Sequence, residues 1–136
     1  MDTKNFAGID LQREYFLTLR AARVAATVCI LLAAGWFWLE YAAVGPGIMV
    51  FENMVVGGLD AMPTLTKLVI THADTVACVA ALGGLGAIAW VWCCGRSISG
   101  VIYAGLAGVV CYLIVGTAFD VAMTQPLNTT IIHFKG

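Results

Sequence analysis

Charge is what this 136-residue chain has least of: Asp, Glu, Lys and Arg make up 11% of it, against 61% hydrophobic residues. Soluble domains carry roughly a quarter charged residues, so the composition is that of an integral membrane protein. Seven Lys and Arg against eight Asp and Glu give a net charge of −1, which leaves no basic surface suited to a nucleic-acid backbone. Catalytic signatures are also missing. No nucleophile elbow, phosphate-binding glycine loop or pair of intramembrane carboxylates occurs. Mid-depth positions are Gly, Ala, Val, Leu and Cys rather than the polar groups of a transport pathway, so neither an enzyme nor a self-contained carrier or channel is expected. The five cysteines, Cys29, Cys78, Cys93, Cys94 and Cys111, lie in or beside apolar runs without a C-x-x-C spacing. Neither a disulfide framework nor a zinc site follows. His72 and His133 have no second ligand at a recognisable spacing, and no metal, haem or other resident cofactor is expected.

Long apolar runs are what the chain does have. Val76 to Cys94 and Val101 to Phe119 are each 19 residues without a charge. At ~1.5 Å per residue each reaches ~28 Å, close to the ~30 Å hydrocarbon core of a bilayer. The six residues Gly95-Arg96-Ser97-Ile98-Ser99-Gly100 join them, a connection short enough to make the two spans antiparallel neighbours. Both runs are rich in small residues. Ala80 with Gly84, Gly83 with Ala87, and the ladder Gly100, Ala104, Gly108 recur at i, i+4. That spacing lets helix backbones approach closely in lipid, where packing replaces the hydrophobic effect, and marks these residues as helix-packing positions. The plainer reading is that Gly and Ala are simply common in membrane helices.

Ahead of the hairpin, residues 8–23 show a helical period, with Leu11, Tyr15 and Leu19 on one side and Arg13, Arg20 and, at the margin, Arg23 on the other. An interfacial amphipathic helix follows, its arginines available to lipid phosphates. It runs into a first span at 24–44, which ends in the aromatic cluster Trp36, Trp38 and Tyr41 around Glu40. This run exceeds the ~7–15 apolar residues of a signal peptide and is expected to be permanent. Gly45-Pro46-Gly47 is expected to break the helix. Residues 45–75 then form an external segment with partial helix, in which Pro63 starts a helix with room to run on unbroken to Cys94. With 76–94 as second span, 95–100 as cytoplasmic turn, 101–119 as third span and 120–136 as external tail, the whole is one all-α membrane domain. Lys4, Arg13, Arg20, Arg23 and Arg96 fall on one side and only Lys67 and Lys135 on the other. By the positive-inside rule the N-terminus is cytoplasmic and the C-terminus external, in an inner or plasma membrane.

The small-residue hairpin with its basic turn, roughly Pro63 to Phe119, resembles the subunits of conjugative type IV secretion pili. The resemblance covers under half of the chain. It implies two Gly/Ala/Val-rich helices joined by a short cytoplasmic turn, a homo-oligomer that leaves the membrane as a hollow filament, and bound phospholipid. Arg96 would then face the filament lumen and the lipid headgroups. Retention of the 24–44 span departs from that pattern and favours, almost equally, a small inner-membrane protein of the same conjugation machinery. Two further readings stand beside it: an accessory subunit of a large respiratory or oxygenase membrane complex, and a holin-like or entry-exclusion protein that oligomerises in the bilayer.

Overall fold

A computed structural model describes the backbone of residues 3–54 and 63–134 and the side chains of 11–49 and 63–124. The described residues form three α-helices: α1, Thr3–Met54; α2, Thr64–Cys93; and α3, Ile98–Phe134. The expected all-α architecture is what the chain adopts, with three helices long and apolar enough to cross a membrane.

Local chemistry sets most of the described ends. Pro63, at φ −54° and ψ 144°, precedes the first turn of α2, and its carbonyl accepts the Lys67 amide at 3.0 Å. The α2 helix closes with the amides of Cys94 and Gly95 both donating to Trp90 O, at 2.9 and 3.0 Å. A side chain at Gly95 would meet the Val91 carbonyl oxygen at 2.6 Å, so the tight exit needs glycine. Ser97 then caps α3: its Oγ accepts the Gly100 amide at 3.2 Å, which satisfies one of the free donors of a helix start.

Three boundaries differ from those expected. Pro46 does not break α1, which continues to Met54 with the proline inside it. The reason is tertiary: Val44 is buried, Ile48 packs on the same core, and Gly47 lies directly against the end of the Met123 side chain. Packing on both sides of the proline holds the helix together although one backbone hydrogen bond is lost. The segment 45–75, expected to be external with partial helix, is correspondingly mostly helix in its described part, with Thr66, Val69 and Ala73 buried in the bundle. Only its stretch at 55–62 lies outside the described residues. The tail after Phe119 likewise continues as α3, and Ala122 is fully buried.

One stripe of α1 makes the bundle. Tyr15, Leu19, Arg23, Ala26, Ile30, Ala33, Phe37, Tyr41, Val44 and Ile48 follow one another at steps of three or four. This is an eleven-residue pattern of about 3.7 residues per turn, near the helix's own ~3.6, so the stripe stays on one side of the helix. Against it sit Tyr112, Phe119 and Ala122 of α3 and Val69, Ala73 and Ala77 of α2. Phe37 is at the centre, with ring centroids 5.8 Å from Tyr112 and 5.7 Å from Phe119. A second, smaller cluster of Leu19, Val91 and Val101 closes the end at the α2–α3 turn.

Each helix carries one charge-free band. It runs from Arg23 to Glu40 on α1, from Asp74 to Arg96 across the end of α2, and from Arg96 to Asp120 into α3. At ~1.5 Å per residue these bands measure roughly 26–36 Å, one bilayer core each. The Tyr41 hydroxyl donates to Asp74 Oδ1 at 2.6 Å, and the Tyr41 and Phe119 rings lie 6.5 Å apart. Glu40, Asp74 and Asp120 therefore mark one common level. The bundle continues beyond it, where the buried Thr66 hydroxyl donates to Ala122 O at 2.7 Å.

Candidate functional site

The expected packing positions of the hairpin line a groove rather than a closed seam. Between α2 and α3 lies an apolar trough of ≈ 650 Å³, whose walls include Ala80, Gly83, Gly84, Ala87, Ala104 and Gly108. Gly84 touches the other arm closely, directly beneath the Tyr112 hydroxyl. Gly108 is packed from both sides, since a Cβ there would lie 3.2 Å from Ile30 Cγ1 and 3.4 Å from Ala87 Cβ. A Cβ on Gly83, by contrast, would meet nothing within 4 Å. Gly100 takes no part in the trough and sits in the first turn of α3 beside Ser97. The two arms thus touch along one edge and part along the other.

Tyr112 explains why they part. Its ring is wedged over Gly84 and its hydroxyl donates to the Ala80 carbonyl at 2.8 Å. A small residue at 84 is needed to admit the ring, and the ring then keeps the flanking small residues from closing on each other. Val76, Val79, Val115, Trp90 and Cys111 also line it, which makes the trough mostly apolar, its polar groups being the Thr75 hydroxyl, the Trp90 indole, the Cys111 thiol and the already bonded Tyr112 phenol.

Glycine also admits close contact elsewhere, between α3 and α1. A Cβ on Gly105 would lie 2.8 Å from Ala26 Cβ and 3.4 Å from its Cα, and one on Gly116 would lie 2.5 Å from the Trp36 ring. Strict i, i+4 steps reach neither glycine. Their signal is the eleven residues between them with Gly108 and Tyr112 in the same stripe, the repeat that α1 shows.

Four arginines were expected to face lipid headgroups or a lumen. Arg13, Arg20 and Arg96 are exposed. Arg23 is turned inward, and its Nη2 donates to the Gly95 carbonyl at 2.6 Å while its Nε is buried without a hydrogen-bond partner among the described residues. Two other bonds join α1 to the same end of the hairpin. The Tyr15 hydroxyl donates to Arg96 O at 3.3 Å, and Trp92 Nε1 donates to Thr27 Oγ1 at 3.0 Å. His72 is exposed and the side chain of His133 lies outside the described residues. Among the described residues no group of three or more His, Cys, Asp or Glu could hold a metal ion.

The class defined by this arrangement is an all-α chain with three membrane-length apolar helices, consistent with a membrane protein. No protein-family model, curated protein or solved structure matches it.

Proposed function

We propose that the chain is a non-catalytic, self-assembling membrane subunit, a pilin-like or structural component of a type IV secretion or conjugation apparatus. The observation that carries the self-assembly is the set of glycines on outward faces. Gly35 on α1 and Gly86 on α2, both inside the charge-free bands, have open space where a side chain would stand, with nothing within 4 Å. Glycine in a helix interior costs ~1 kcal/mol relative to alanine, and within this chain these two gain no contact in return. In lipid, exposed backbone of this kind is what lets a second helix approach closely. Surfaces on two different helices allow head-to-tail contacts, which give a ring if the rotation closes and a filament if it does not.

The place of α1 favours a resident component over a subunit trimmed to its hairpin. Ile30, Ala33, Phe37 and Val44 are four of the ten buried residues of the main core, and Arg23 closes the turn of the hairpin. Removing α1 would strip α3 of the partner it packs against most extensively. The same point supports the second reading, an accessory subunit of a larger membrane complex, whose partner helix would use the outward glycines in place of a second copy.

Negative-stain microscopy of protein purified in mild detergent tests the proposal. Filaments or rings of this chain alone are expected. Co-purification as one copy within a pigmented complex would replace the first reading with the second, and cells shedding pili that lack the chain would remove the pilin reading.

A further inference from the structure

The trough is lined by α2 and α3 alone and runs from Thr75 to Trp90 on α2, ~22 Å at ~1.5 Å per residue. A face of the same length on α1 is left without a partner in the bundle. Val24, Val28, Leu32, Gly35 and Leu39 follow one another at steps of three or four, away from the stripe that packs on α2 and α3. All five are exposed, Leu32 by 70% and Leu39 by 72%. From Val24 to Leu39 this face is also ~22 Å long.

The two surfaces match in depth. Tyr41 bonds Asp74 at one end of the charge-free bands and Tyr15 bonds the Arg96 carbonyl at the other, so levels on α1 transfer to the hairpin. Measured from the level of Glu40, Asp74 and Asp120, Gly35 and Val79 both lie ~8 Å deep, and Leu32, Gly83 and Cys111 lie ~12–14 Å deep. Glycine on α1 thus stands level with valine on the trough wall, and leucine on α1 with glycine. A Cβ on Gly35 or Gly83 would meet nothing within 4 Å in its own chain. Small residues facing large ones at the same height let two surfaces interdigitate.

Charge agrees with this match. Of the charged residues of α1 whose side chains are described at the Arg96 end, Glu14 continues the outward face, while Arg13 and Arg20 lie to one side of it and Arg23 on the packing stripe. Glu40, at the other end, falls on the opposite flank. A second copy at the same height therefore brings Glu14 to Arg96 and keeps Glu40 off Asp74 and Asp120.

We infer that the trough receives the Val24–Leu39 face of α1 from a second copy of this chain, in the same orientation and at the same height. The inference rests on the self-assembly reading and adds to it which faces meet. Copies inserted by the same rule share an orientation. Each offers one trough and one α1 face, so the contact is head-to-tail and repeats from copy to copy. With no offset in depth, successive copies stay level with the bilayer.

The test uses the full-length chain in its membrane, with Cys29, Cys78, Cys93 and Cys94 replaced by alanine so that Cys111 on the trough wall is the remaining thiol. Leu32→Cys is added and the membranes are oxidised with copper phenanthroline. A ladder of dimers, trimers and higher species is expected, because a link from position 32 of one copy to Cys111 of the next leaves one thiol free on each. Cys111 alone should give none. Gly83→Leu should cut the ladder about tenfold, the result of overpacking an interface by ~1.4 kcal/mol, while thermal unfolding of the single chain stays unchanged. Arg96→Glu and Glu14→Arg should each weaken the ladder, and the two together should restore it. Particle mass in nanodiscs separates this inference from the reading it rests on. A multimer that gives no ladder, stops at a Cys111–Cys111 dimer, keeps its ladder with Gly83→Leu or fails to recover in the charge-swapped double variant overturns the trough contact and leaves self-assembly standing. A monomer at every concentration overturns both.

Discussion

The Arg23 guanidinium and the Gly95 carbonyl meet at 2.6 Å, across 72 residues of sequence, and this contact makes the N-terminal helix part of the hairpin's turn. A carbonyl at a helix end has no partner within its own helix, and a cation there also favours the negative end of the helix dipole. Arg23 supplies both from α1. The arginine that sequence places at the margin of a lipid-facing side is therefore an internal clasp, while Arg13 and Arg20 remain on the exposed side.

Replacing Arg23 with Gln should weaken this clasp. Loss of a charge-assisted hydrogen bond to a partly buried carbonyl is expected to cost about 2 kcal/mol, with the turn at Gly95 exposed first. Unfolding in detergent measures the first effect and hydrogen exchange at the 94–97 amides the second. Arg20→Gln, at an exposed position, should change neither.

Gly84 and Tyr112 should behave as a coupled pair. Gly84→Ala places a methyl group directly against the Tyr112 hydroxyl, so the ring must move and the bond to Ala80 O must break. A loss of about 1–3 kcal/mol is expected for such overpacking. Tyr112→Phe alone should cost less, near the ~0.6 kcal/mol average of membrane hydrogen bonds. The double variant should be less destabilised than the sum of the two, because removing the hydroxyl relieves part of the clash.

The glycines of α3 and α1 should divide by what they face. Gly105→Ala drives a methyl group into Ala26, where the nearest atoms include backbone, and must push α1 and α3 apart at a cost of about 1–3 kcal/mol. Gly35→Ala meets open space and should be neutral or stabilising by up to ~1 kcal/mol within one chain. Thermal unfolding of the two variants side by side checks the contrast.

Helix identity was legible in the sequence because apolar runs near bilayer length can satisfy their backbone only as helices. The unbroken run from Thr64 to Cys93 was also readable, since Pro63 stands just before a periodic apolar pattern. What was not legible depended on partners distant in sequence. Pro46 reads as a stop until Met123 is known to lie against Gly47. The ladder at Ala80, Gly84 and Gly108 reads as a closed seam until Tyr112 is known to stand over Gly84. Arg23 reads as a headgroup ligand until the turn at Gly95 is folded beneath it. In each case local pattern gave the helix and a single tertiary contact decided what its residues do.

Self-assembly through the outward glycines is tested most directly by the mass of the protein particle in mild detergent or nanodiscs, measured for the unmodified chain and for Gly35→Leu combined with Gly86→Leu. The expected result is a multimer for the former and a monomer with unchanged thermal unfolding for the latter. A monodisperse monomer of the unmodified chain at every concentration, or a double variant of equal mass, would contradict it.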